Sequence, residues 1–265
     1  MAINKIHPNA KLGKNVVVED FTTIAEFVEI GDGSWIGSNV TICDHVKLGN
    51  NCKVFPGAVV GGIPQDLKFQ GEVSYVEIGD NVTIRECVTI NRGTSASGRG
   101  ITKIGNNCLI MSYVHIAHDC IIGDNVVLVS TVGVAGECEV DDFAIIGGLS
   151  GVHQFSRIGA HVMISGGSMI SKDVPPYILA GHRPLVYGGL NVVGLKRRGF
   201  SNEQIDIIRE IYRIIYQSGF NTAEACDKVE AAFPPSSERD NILTFIRTSK
   251  RGIIRAKTSN ELIDE

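Results

Sequence analysis

The chain has 265 residues, of which 43% are hydrophobic, and it carries a formal net charge of −4. This length and composition allow one large domain or two with a buried core, and the acidic balance argues against a nucleic-acid-binding protein. The first 31 residues contain no uninterrupted apolar segment like that of a signal peptide, and no run of 18 apolar residues occurs anywhere. We therefore expect a cytoplasmic protein without a membrane span.

An aliphatic residue occupies every sixth position through the first sixty residues. A period of six fits neither an amphipathic helix nor an ordinary strand, so it predicts a repeat architecture. If each hexad forms one face of a three-sided β-coil, residues 18 apart stack directly above one another, with the spacing of neighbouring strands, about 4.8 Å. The residues in register are Ile6, Leu12, Val18, Ile24, Ile30, Ile36, Ile42, Leu48, Val54 and Val60.

The hexad pattern breaks twice before it ends. Residues 61–75 lack it, and residues 91–103 are polar and rich in Gly and Ser. We interpret both as loops extruded from corners of the coil, where solenoids commonly carry their binding residues. The pattern resumes after each break and ends before Pro175 and Pro176, which cannot continue a strand ladder. We therefore predict a β-helix over residues 1–176 that carries these two loops.

The period changes in the last third of the chain. Residues 177–194 contain Gly and Pro and form a predicted connector, and a helical domain is predicted over residues 195–265. Ser201 and Gln204 have the spacing of a capping box at a helix start. The apolar residues that follow recur at helical spacing until Gly219.

Three residues form a column if the coil has three faces. His118, Gly136 and Gln154 are 18 residues apart, and His115 and His153 lie close to them in sequence. Histidine is the side chain best suited to exchange a proton near neutral pH. This edge of the coil is therefore the predicted functional site.

The seven cysteines show no CxxC spacing. Four of them fall at the hexad position that elsewhere carries a small or β-branched residue. We interpret these four as buried packing residues rather than disulfide partners or zinc ligands. They are Cys52, Cys108, Cys120 and Cys138.

Several short segments carry a resemblance to a known family. They read HIAHDC, DDFAIIGG, GVHQF, IGAHVM, DVPPY, GLKRRGF and QDLK. Together with the hexads, which are typical of left-handed parallel β-helices, they resemble the bacterial UDP-N-acetylglucosamine O-acyltransferases that begin lipid A biosynthesis. The resemblance covers essentially the whole chain, and the left hand rests on it alone, because strand-connection rules favour right-handed turns. It implies a mainly β fold, a left-handed parallel β-helix of hexapeptide repeats with a C-terminal α-helical domain.

The same resemblance implies an activity. Enzymes of this family are homotrimers with active sites in the clefts between neighbouring β-helices. They transfer an (R)-3-hydroxyacyl group from acyl carrier protein to the 3-hydroxyl of UDP-N-acetylglucosamine, and neither a cofactor nor a metal is expected. His118 matches the general base that takes the hydroxyl proton, and Asp119 matches the carboxylate that orients it. Gly136 matches the glycine whose N–H serves as oxyanion hole.

The resemblance also assigns substrate contacts. Two loop residues match acceptor-binding positions that are expected to reach into the neighbouring subunit's cleft, and three residues around the column match the lining of the sugar-nucleotide and acyl pocket. Three C-terminal residues match uridine and phosphate contacts, and one glycine matches the acyl-chain ruler. The two loop residues are Asp66 and Lys68, and the three around the column are His115, His153 and Gln154. The three C-terminal residues are Asn191, Arg197 and Arg198, and the glycine is Gly166. Departures from the family pattern at Glu137 and Val193 bear on acyl preference and nucleotide contacts.

Two further sets of residues lie outside these motifs. His45 and His161 fall at corner positions and are interpreted as surface histidines. Four basic residues near the C-terminus are predicted to contact the acidic carrier protein by charge complementarity. They are Arg247, Lys250, Arg251 and Arg255.

Four alternatives stay open. A related N-acyltransferase would carry an additional N-terminal uridine-binding domain, for which hexads that start at Ile6 leave no room. A sugar acetyltransferase that uses acetyl-CoA is a second alternative. A carbonic anhydrase could hold a metal through His115, His118 and His153 drawn from two subunits. A purely structural scaffold would explain the repeat but neither the loops nor the histidines.

Overall fold

The computed structural model describes residues 3–256. Within them, short strands follow the hexads, and in most of these strands the second of two residues points into the coil. In chain order the strands of the coil are β1 (Lys5–Ile6), β2 (Lys11–Leu12), β3 (Val17–Val18), β4 (Thr23–Ile24), β5 (Glu29–Ile30), β6 (Trp35–Ile36), β7 (Thr41–Ile42), β8 (Val46–Leu48), β9 (Lys53–Val54), β10 (Val59–Gly62), β11 (Tyr75–Ile78), β12 (Thr83–Ile84), β13 (Thr89–Asn91), β14 (Ile101–Ile104), β15 (Leu109–Ile110), β16 (His115–Ile116), β17 (Ile121–Ile122), β18 (Val127–Leu128), β19 (Gly133–Val134), β20 (Glu139–Val140), β21 (Ile145–Ile146), β22 (Gly151–Val152), β23 (Arg157–Ile158), β24 (Met163–Ile164) and β25 (Met169–Ile170).

Every third strand belongs to the same parallel sheet, so the coil has three faces. Face A is the sheet β1-β4-β7-β10-β13-β16-β19-β22-β25, face B is β2-β5-β8-β11-β14-β17-β20-β23, and face C includes β3-β6-β9-β12-β15-β18-β21-β24. Along face A, Ile116 lies opposite Val134, and Val134 lies opposite Val152. Residues 18 apart therefore stack one above the other, and the predicted left-handed parallel β-helix of hexapeptide repeats is confirmed.

The interior is filled by the aliphatic residues of the hexads and by small residues next to the corners. The four cysteines predicted to be packing residues are buried. Each thiol lies near a carbonyl oxygen of the next coil; for example, Cys120 Sγ is 3.1 Å from the carbonyl oxygen of Ala135. At these positions cysteine acts as a small apolar residue with a weak donor.

Most corners turn through a residue with positive φ. Asparagine tolerates this conformation, and it occupies the corner at Asn15, Asn51 and Asn107. Phe143 and Leu149 adopt the same conformation, with φ of 60° and 59°, although bulky residues rarely do so. At those corners the stacking of coils, rather than the residue type, imposes the turn.

At the corner between faces B and C, a side-chain oxygen from each coil accepts a backbone N–H from the coil before it. Asp32 Oδ1 lies 2.7 Å from the Lys14 nitrogen, and the contact recurs along the coil with distances of 2.7 to 2.9 Å. We call this series the Asx ladder. It satisfies corner N–H groups that the strands leave unpaired. Its acceptors are Asp32, Asn50, Asp80, Asn106, Asp124 and Asp142.

Two loops leave the coil at the corner between faces A and B. Residues 63–74 connect β10 with β11, and residues 92–100 connect β13 with β14. Glu72 joins the two loops, because its Oε1 accepts hydrogen bonds from the Ser95 N–H (2.8 Å) and hydroxyl (2.9 Å). Hydrogen bonds from backbone N–H groups lower the pKa of Glu72 to about 2, and the Ser95 N–H makes the largest contribution. The loops are thus one unit on the same edge as the predicted histidine column.

The C-terminal part begins as an extension of face C. The predicted connector contains a β-hairpin of β26 (Ile178–Gly181) and β27 (Val186–Leu190), and β28 (Arg255–Ala256) pairs with β27. The helices are α1 (Val192–Arg197), α2 (Asn202–Gln217), α3 (Thr222–Ala232) and α4 (Ser237–Arg247). Because face C runs on into the hairpin and α1 starts inside the predicted connector, the domain division at residues 176 and 194 stays a prediction.

The capping box predicted at the start of α2 is present, with Ser201 and Gln204 exchanging hydrogen bonds. None of the helices within residues 3–256 combines the length and the hydropathy that a bilayer crossing requires.

Candidate active site

His118 lies at the corner that follows β16, between faces A and B, and is only 7% exposed. Its Nδ1 is 2.8 Å from Oδ2 of Asp119, which is wholly buried. Asp119 occupies the positive-φ position of the corner, with φ of 60°. Consecutive side chains on a strand point to opposite faces, so it is the corner conformation that lets these neighbours meet.

Thr94, in the second loop, holds the carboxylate of Asp119. The Thr94 N–H lies 3.0 Å from each carboxylate oxygen, and its hydroxyl lies 2.7 Å from Oδ2. A carboxylate that accepts all of these hydrogen bonds also accepts one from the imidazole, so Nδ1 of His118 carries the proton. Nε2 is then left with its lone pair, which is the form of histidine that can act as a general base.

The backbone of Asp119 is held as firmly as its side chain. Arg99 Nη1 donates to the Asp119 carbonyl oxygen at 2.9 Å, and the Asp119 N–H donates to Thr102 Oγ1 at 2.8 Å. Arg99 also pairs with Glu139 on face B. Three residues in or beside the second loop therefore fix this corner, and the sequence motifs singled out none of them.

Gly136 lies one coil from His118, directly beneath the imidazole. A Cβ built on Gly136 would overlap the ring of His118, so only glycine leaves room for this imidazole. The Gly136 N–H donates no hydrogen bond to any residue within 3–256. At the equivalent corner position on the neighbouring edge, the Asx ladder caps the N–H. Here Gln154 of the next coil does not cap the Gly136 N–H. A free N–H donor thus lies next to the His118 imidazole.

Asp66 reaches this edge from the first loop. Its Oδ2 lies 3.7 Å from Nε2 of His118, and its Oδ1 accepts from the Lys68 N–H at 3.0 Å. The family resemblance implied that both residues reach into the neighbouring subunit's cleft, and this stays a prediction. Within one chain, Asp66 lies beside His118, and the first loop is tied to the second by Glu72 and Ser95. Lys68 is exposed beside it.

His115 and His153 flank a groove on the outer side of face A. The groove encloses about 340 Å³ and is otherwise almost entirely apolar. The Nδ1 of His115 is 2.7 Å from Thr89 Oγ1, and burial lowers the pKa of His115, so its imidazole is neutral near pH 7. His153 is exposed, with Nδ1 3.0 Å from the Gln154 carbonyl oxygen. The residues predicted around the column do come together on one edge.

The remaining predicted residues lie elsewhere on the chain. Asn191 is buried, and its side chain both caps α1 by accepting from the Gly194 N–H (3.1 Å) and donates to the His161 carbonyl oxygen (2.9 Å). Arg198 donates to the Phe143 carbonyl oxygen (3.0 Å) at the corner between faces B and C. Both residues therefore lie on a different edge of the coil from His118.

Arg197 and Gly166 are exposed. Gly166 lies between β24 and β25, at the corner where face C meets face A. Within one chain, neither these two residues nor Asn191 and Arg198 join the edge that carries the base.

The structure corrects the interpretation of His161 as a surface histidine. Its ring is stacked between Phe143 and Tyr177, with centroid distances of 4.9 and 5.6 Å. Burial, with a smaller contribution from the charge of Arg198, lowers the pKa of His161 to about 4. His45 is likewise stacked, on Phe27 at 5.2 Å. Both histidines extend aromatic stacks along an edge of the coil.

Within residues 3–256 of one chain, no three His, Cys, Asp or Glu side chains are grouped so that they could hold a metal ion.

Comparison with known proteins decides the family. Residues 173–254 match the model described as UDP N-acetylglucosamine O-acyltransferase, domain 2, and residues 27–62 and 101–136 match the bacterial transferase hexapeptide model. The chain is 46% identical to an acyl-[acyl-carrier-protein]–UDP-N-acetylglucosamine O-acyltransferase from Sulfurihydrogenibium sp., over 98% of this chain and 97% of the relative. The chain belongs to the UDP-N-acetylglucosamine O-acyltransferase family.

Solved structures agree with this assignment. A UDP-N-acetylglucosamine acyltransferase from Bacteroides fragilis superimposes with a TM-score of 0.93 and 53% identity, covering 96% of this chain and 99% of the other. The corresponding Arabidopsis enzyme gives a TM-score of 0.84 and 32% identity, with coverage of 96% and 99%. As a member of this family, the protein is an acyltransferase, as the sequence motifs predicted.

The edge that carries His118 combines three chemical features. One is an imidazole with a free lone pair, the second is a carboxylate that holds it, and the third is an unpaired N–H donor beside it. The two loops leave the coil at the same edge that carries the column. These groups are therefore concentrated where face A meets face B.

Proposed function

We propose that the protein transfers an (R)-3-hydroxyacyl group from acyl carrier protein to the 3-hydroxyl of UDP-N-acetylglucosamine, the first step of lipid A biosynthesis. The proposal is supported by the names of its relatives, which specify acyl-[acyl-carrier-protein] and UDP-N-acetylglucosamine. The observation that carries it is the position of His118, with Nδ1 bound to Asp119 and its ring over Gly136.

In the first step, Nε2 of His118 takes the proton of the sugar 3-hydroxyl while the hydroxyl oxygen attacks the thioester carbonyl carbon. A sugar hydroxyl is a weak nucleophile at neutral pH, so a positioned base is required. Asp119 stabilises the imidazolium that forms. The carbonyl oxygen gains negative charge, and the Gly136 N–H donates to it as an oxyanion hole.

In the second step, the tetrahedral intermediate collapses and the carbon–sulfur bond breaks. The departing sulfur takes the proton from Nε2 of His118, so the imidazole returns to its starting form. The products are the O-acylated sugar nucleotide and the free thiol of the carrier protein. Every proton is accounted for by one histidine, and no cofactor or metal is needed.

For substrate binding, we propose that Asp66, Lys68 and Gln154 contact the sugar near Nε2 and that His115 and His153 line the acyl pocket. Asn191, Arg197 and Arg198 are proposed for the uridine and phosphates, since guanidinium groups suit a diphosphate. Asn191 is the least available of these, because it is buried and its side chain caps α1.

A homotrimer accounts for the separation of these residues. Because the proposed nucleotide contacts and Gly166, the proposed acyl ruler, lie on other edges than His118 within one chain, a complete site needs a neighbouring subunit. Apolar side chains expose large fractions of their surface outside the coil: Leu67 is fully exposed and Leu149 is 72% exposed. Such surface is typical of a subunit interface.

The acidic carrier protein is proposed to dock near Lys250 and Arg251. These residues line a cavity of about 590 Å³. Glu137, Arg99 and Arg157 also line this cavity. Arg247, predicted as a further contact, is already paired with Asp227 and Glu230. We propose a cytoplasmic location, where this donor would be available.

One assay tests the function. The purified protein is mixed with UDP-N-acetylglucosamine and, in separate tubes, with 3-hydroxyacyl carrier proteins of different chain lengths or with acetyl-CoA, and the nucleotide product is measured by mass spectrometry. We expect a hydroxyacyl ester from carrier-protein donors alone. Transfer of acetyl groups alone would assign the protein to the acetyl-CoA-dependent enzymes, and no product from any donor would overturn the proposal.

A further inference from the structure

Glu139 binds two arginines that come from different parts of the chain. It occupies the outward position of β20 on face B, and Arg157 lies directly opposite it on β23. Glu139 Oε2 is 3.2 Å from Arg157 Nε, and its Oε1 pairs with Arg99 from the second loop. The three side chains are 28–33% exposed. One carboxylate thus joins a loop residue to a residue of the coil.

Arg99 connects this carboxylate to the corner of the proposed base. Its Nη1 donates to the Asp119 carbonyl oxygen at 2.9 Å, while its Nη2 pairs with Glu139. The backbone of Arg99 is also fixed, because its N–H donates to Ser97 Oγ at 3.0 Å. The carbonyl belongs to the same residue whose carboxylate binds the His118 imidazole. Glu139 therefore holds the guanidinium where it restrains Asp119.

Arg157 connects the same carboxylate to the C-terminal helices. Its Nη1 donates to Thr248 Oγ1 at 2.9 Å, and its guanidinium lies 4.6 Å from the centre of the Phe245 ring, in a cation–π contact. Arg157 also lines the cavity at which we propose that the acidic carrier protein docks. An acidic partner in this cavity would therefore meet a guanidinium whose charge Glu139 already balances.

The contacts of Glu139 differ from those of an ordinary surface ion pair. Isolated pairs stabilise a protein little, because two long side chains lose freedom for one contact. Around Glu139, both arginines already donate to other groups, Asp119 in one case and Thr248 in the other. The carboxylate joins two ordered guanidinium groups instead of ordering a free one. Loss of its charge should therefore act at the far ends of both arginines.

We propose that Glu139 is a positioning residue for acyl transfer, which holds Arg99 on the corner of the proposed base and also reduces the positive charge that the donor meets at Arg157. This role rests on the proposed function, and Glu139 exerts it through the arginines rather than on the substrate. Two opposite effects follow. Loss of the carboxylate frees Arg99, so turnover falls, and makes the docking cavity more positive, so the acidic carrier protein binds more tightly.

Glu139→Gln tests both effects, because glutamine has nearly the same size and lacks the charge. We expect kcat to fall by roughly threefold to tenfold, at or below the effect of losing a hydrogen bond from a charged donor. The dissociation constant of fluorescently labelled acyl carrier protein, measured by anisotropy, should fall by about twofold to fivefold at low salt. Salt screens exposed charges, so the gain in binding should disappear at high ionic strength while the loss of turnover remains.

Glu139→Asp separates position from charge. Aspartate keeps the negative charge but is one methylene shorter, so it cannot reach both arginines at once. We expect kcat to fall as in Glu139→Gln, whereas the dissociation constant of the carrier protein should stay near that of wild type. Melting curves of both variants should resemble wild type, because the side chains involved lie outside the core.

A double-mutant cycle with Arg99 tests whether Glu139 acts through it. Arg99→Ala removes the donor to the Asp119 carbonyl oxygen, so kcat should fall by roughly tenfold. Effects of residues in one network are not additive. Adding Glu139→Gln to Arg99→Ala should therefore lower kcat by less than about twofold further. If the two losses multiply instead, Glu139 acts by another route and the positioning role is wrong.

Glu77→Gln is the matched control. Glu77 also occupies an outward position on face B, in β11, and its Oε2 lies 3.3 Å from Lys103 Nζ in a half-exposed pair. The substitution removes the same charge three coils away from Glu139. It should leave both kcat and carrier-protein binding at wild-type values. If it reproduces the effects of Glu139→Gln, any acid of face B suffices and the inference is wrong.

The remaining outcomes separate this inference from the proposed function. If wild type makes acyl ester but Glu139→Gln keeps the wild-type kcat, or binds the carrier protein no more tightly than wild type, the inference is wrong and the proposed function stands. If wild type makes no ester from any donor, the proposed function fails and the inference fails with it.

Discussion

The imidazole of His118 and the carboxylate of Asp119 are joined at 2.8 Å although the two residues are adjacent in sequence. The left-handed corner turns Asp119 back beneath the histidine, and the second loop closes over it through Thr94. A fold whose strands are mostly two residues long thus holds an imidazole in a fixed orientation at a corner, the one place where neighbouring side chains can converge.

Replacing the proposed base should separate catalysis from folding. His118→Ala removes the group proposed to take the hydroxyl proton, so kcat should fall by at least about 10²–10⁴-fold, the usual contribution of general base catalysis. Asp119 keeps its hydrogen bonds to Thr94, so thermal unfolding should change little. Steady-state kinetics and a melting curve on the same preparation measure both effects.

His45→Asn is the control for this variant, because it changes a histidine at another corner of the same edge to a residue that tolerates positive φ. It should leave turnover unchanged. Near-normal activity of His118→Ala would remove His118 as the base.

Thr94 should act on catalysis through Asp119. Thr94→Val removes the hydroxyl that donates to Oδ2 and leaves the backbone N–H, while Thr94→Ser retains the donor. A hydrogen bond to a charged group is worth about 1.5–3 kcal/mol, so kcat in the valine variant should fall by roughly 10–150-fold. The KM values for both substrates should stay near wild type, because Thr94 is buried and does not reach the substrate side of the imidazole.

Rescue by serine distinguishes positioning from packing. If Thr94→Ser, which keeps the hydroxyl, is as slow as Thr94→Val, loss of the hydroxyl does not explain the slow turnover and the positioning role is wrong.

The hexad phase explains why so much of the coil was predictable. An aliphatic residue at every sixth position can be buried in only one way if the coil has three faces, and the 18-residue spacing of His118, Gly136 and Gln154 then follows as stacking on one edge. The residues themselves therefore predict the architecture and the position of the column. The hand of the coil and the chemistry of the column came only from the family resemblance.

The loops explain what was missed. Thr94 was missed, and Asp66 was identified only through the family resemblance, because both belong to segments without a period. The approach of Thr94 to Asp119 and of Asp66 to His118 depends on contacts such as Glu72 with Ser95 that spacing does not encode. His161 was misinterpreted for a similar reason. Its stacking partner Tyr177 follows the prolines that end the repeat and lies out of phase with it.

Gly136 gives a test of steric fit at the site. In Gly136→Ala the new methyl group would overlap the His118 imidazole, and the ring can only turn aside. A displacement of about 1 Å at a reacting group can cost roughly 10²-fold in rate, so we expect kcat to fall by that factor or more. The melting temperature should change little, because φ at Gly136 is not in the left-handed region. An alanine variant with wild-type kcat would show that the imidazole is not held over this glycine during turnover.

His161 predicts a pH dependence of stability. Its pKa is lowered to about 4 in the folded protein and is near 6.5 in an unfolded chain. Between these values the unfolded state binds a proton that the folded state does not, so stability is lost as pH falls from about 6.5 toward 4. His161→Phe abolishes this loss and keeps the stack with Phe143 and Tyr177. It also removes a buried Nδ1 that has no hydrogen-bond partner, which costs about 1–3 kcal/mol.

Melting curves of wild type and His161→Phe at pH 7.5 and pH 5 measure both contributions. We expect the variant to be more stable at both values and the gain to be larger at pH 5, because only there is the protonation of unfolded histidine added to the removal of the unpaired nitrogen. Phenylalanine already occupies the equivalent corner at Phe143 with the same positive φ, so the backbone should accept it. An equal gain at both pH values would mean that the imidazole of His161 is protonated as readily in the folded protein as in the unfolded chain.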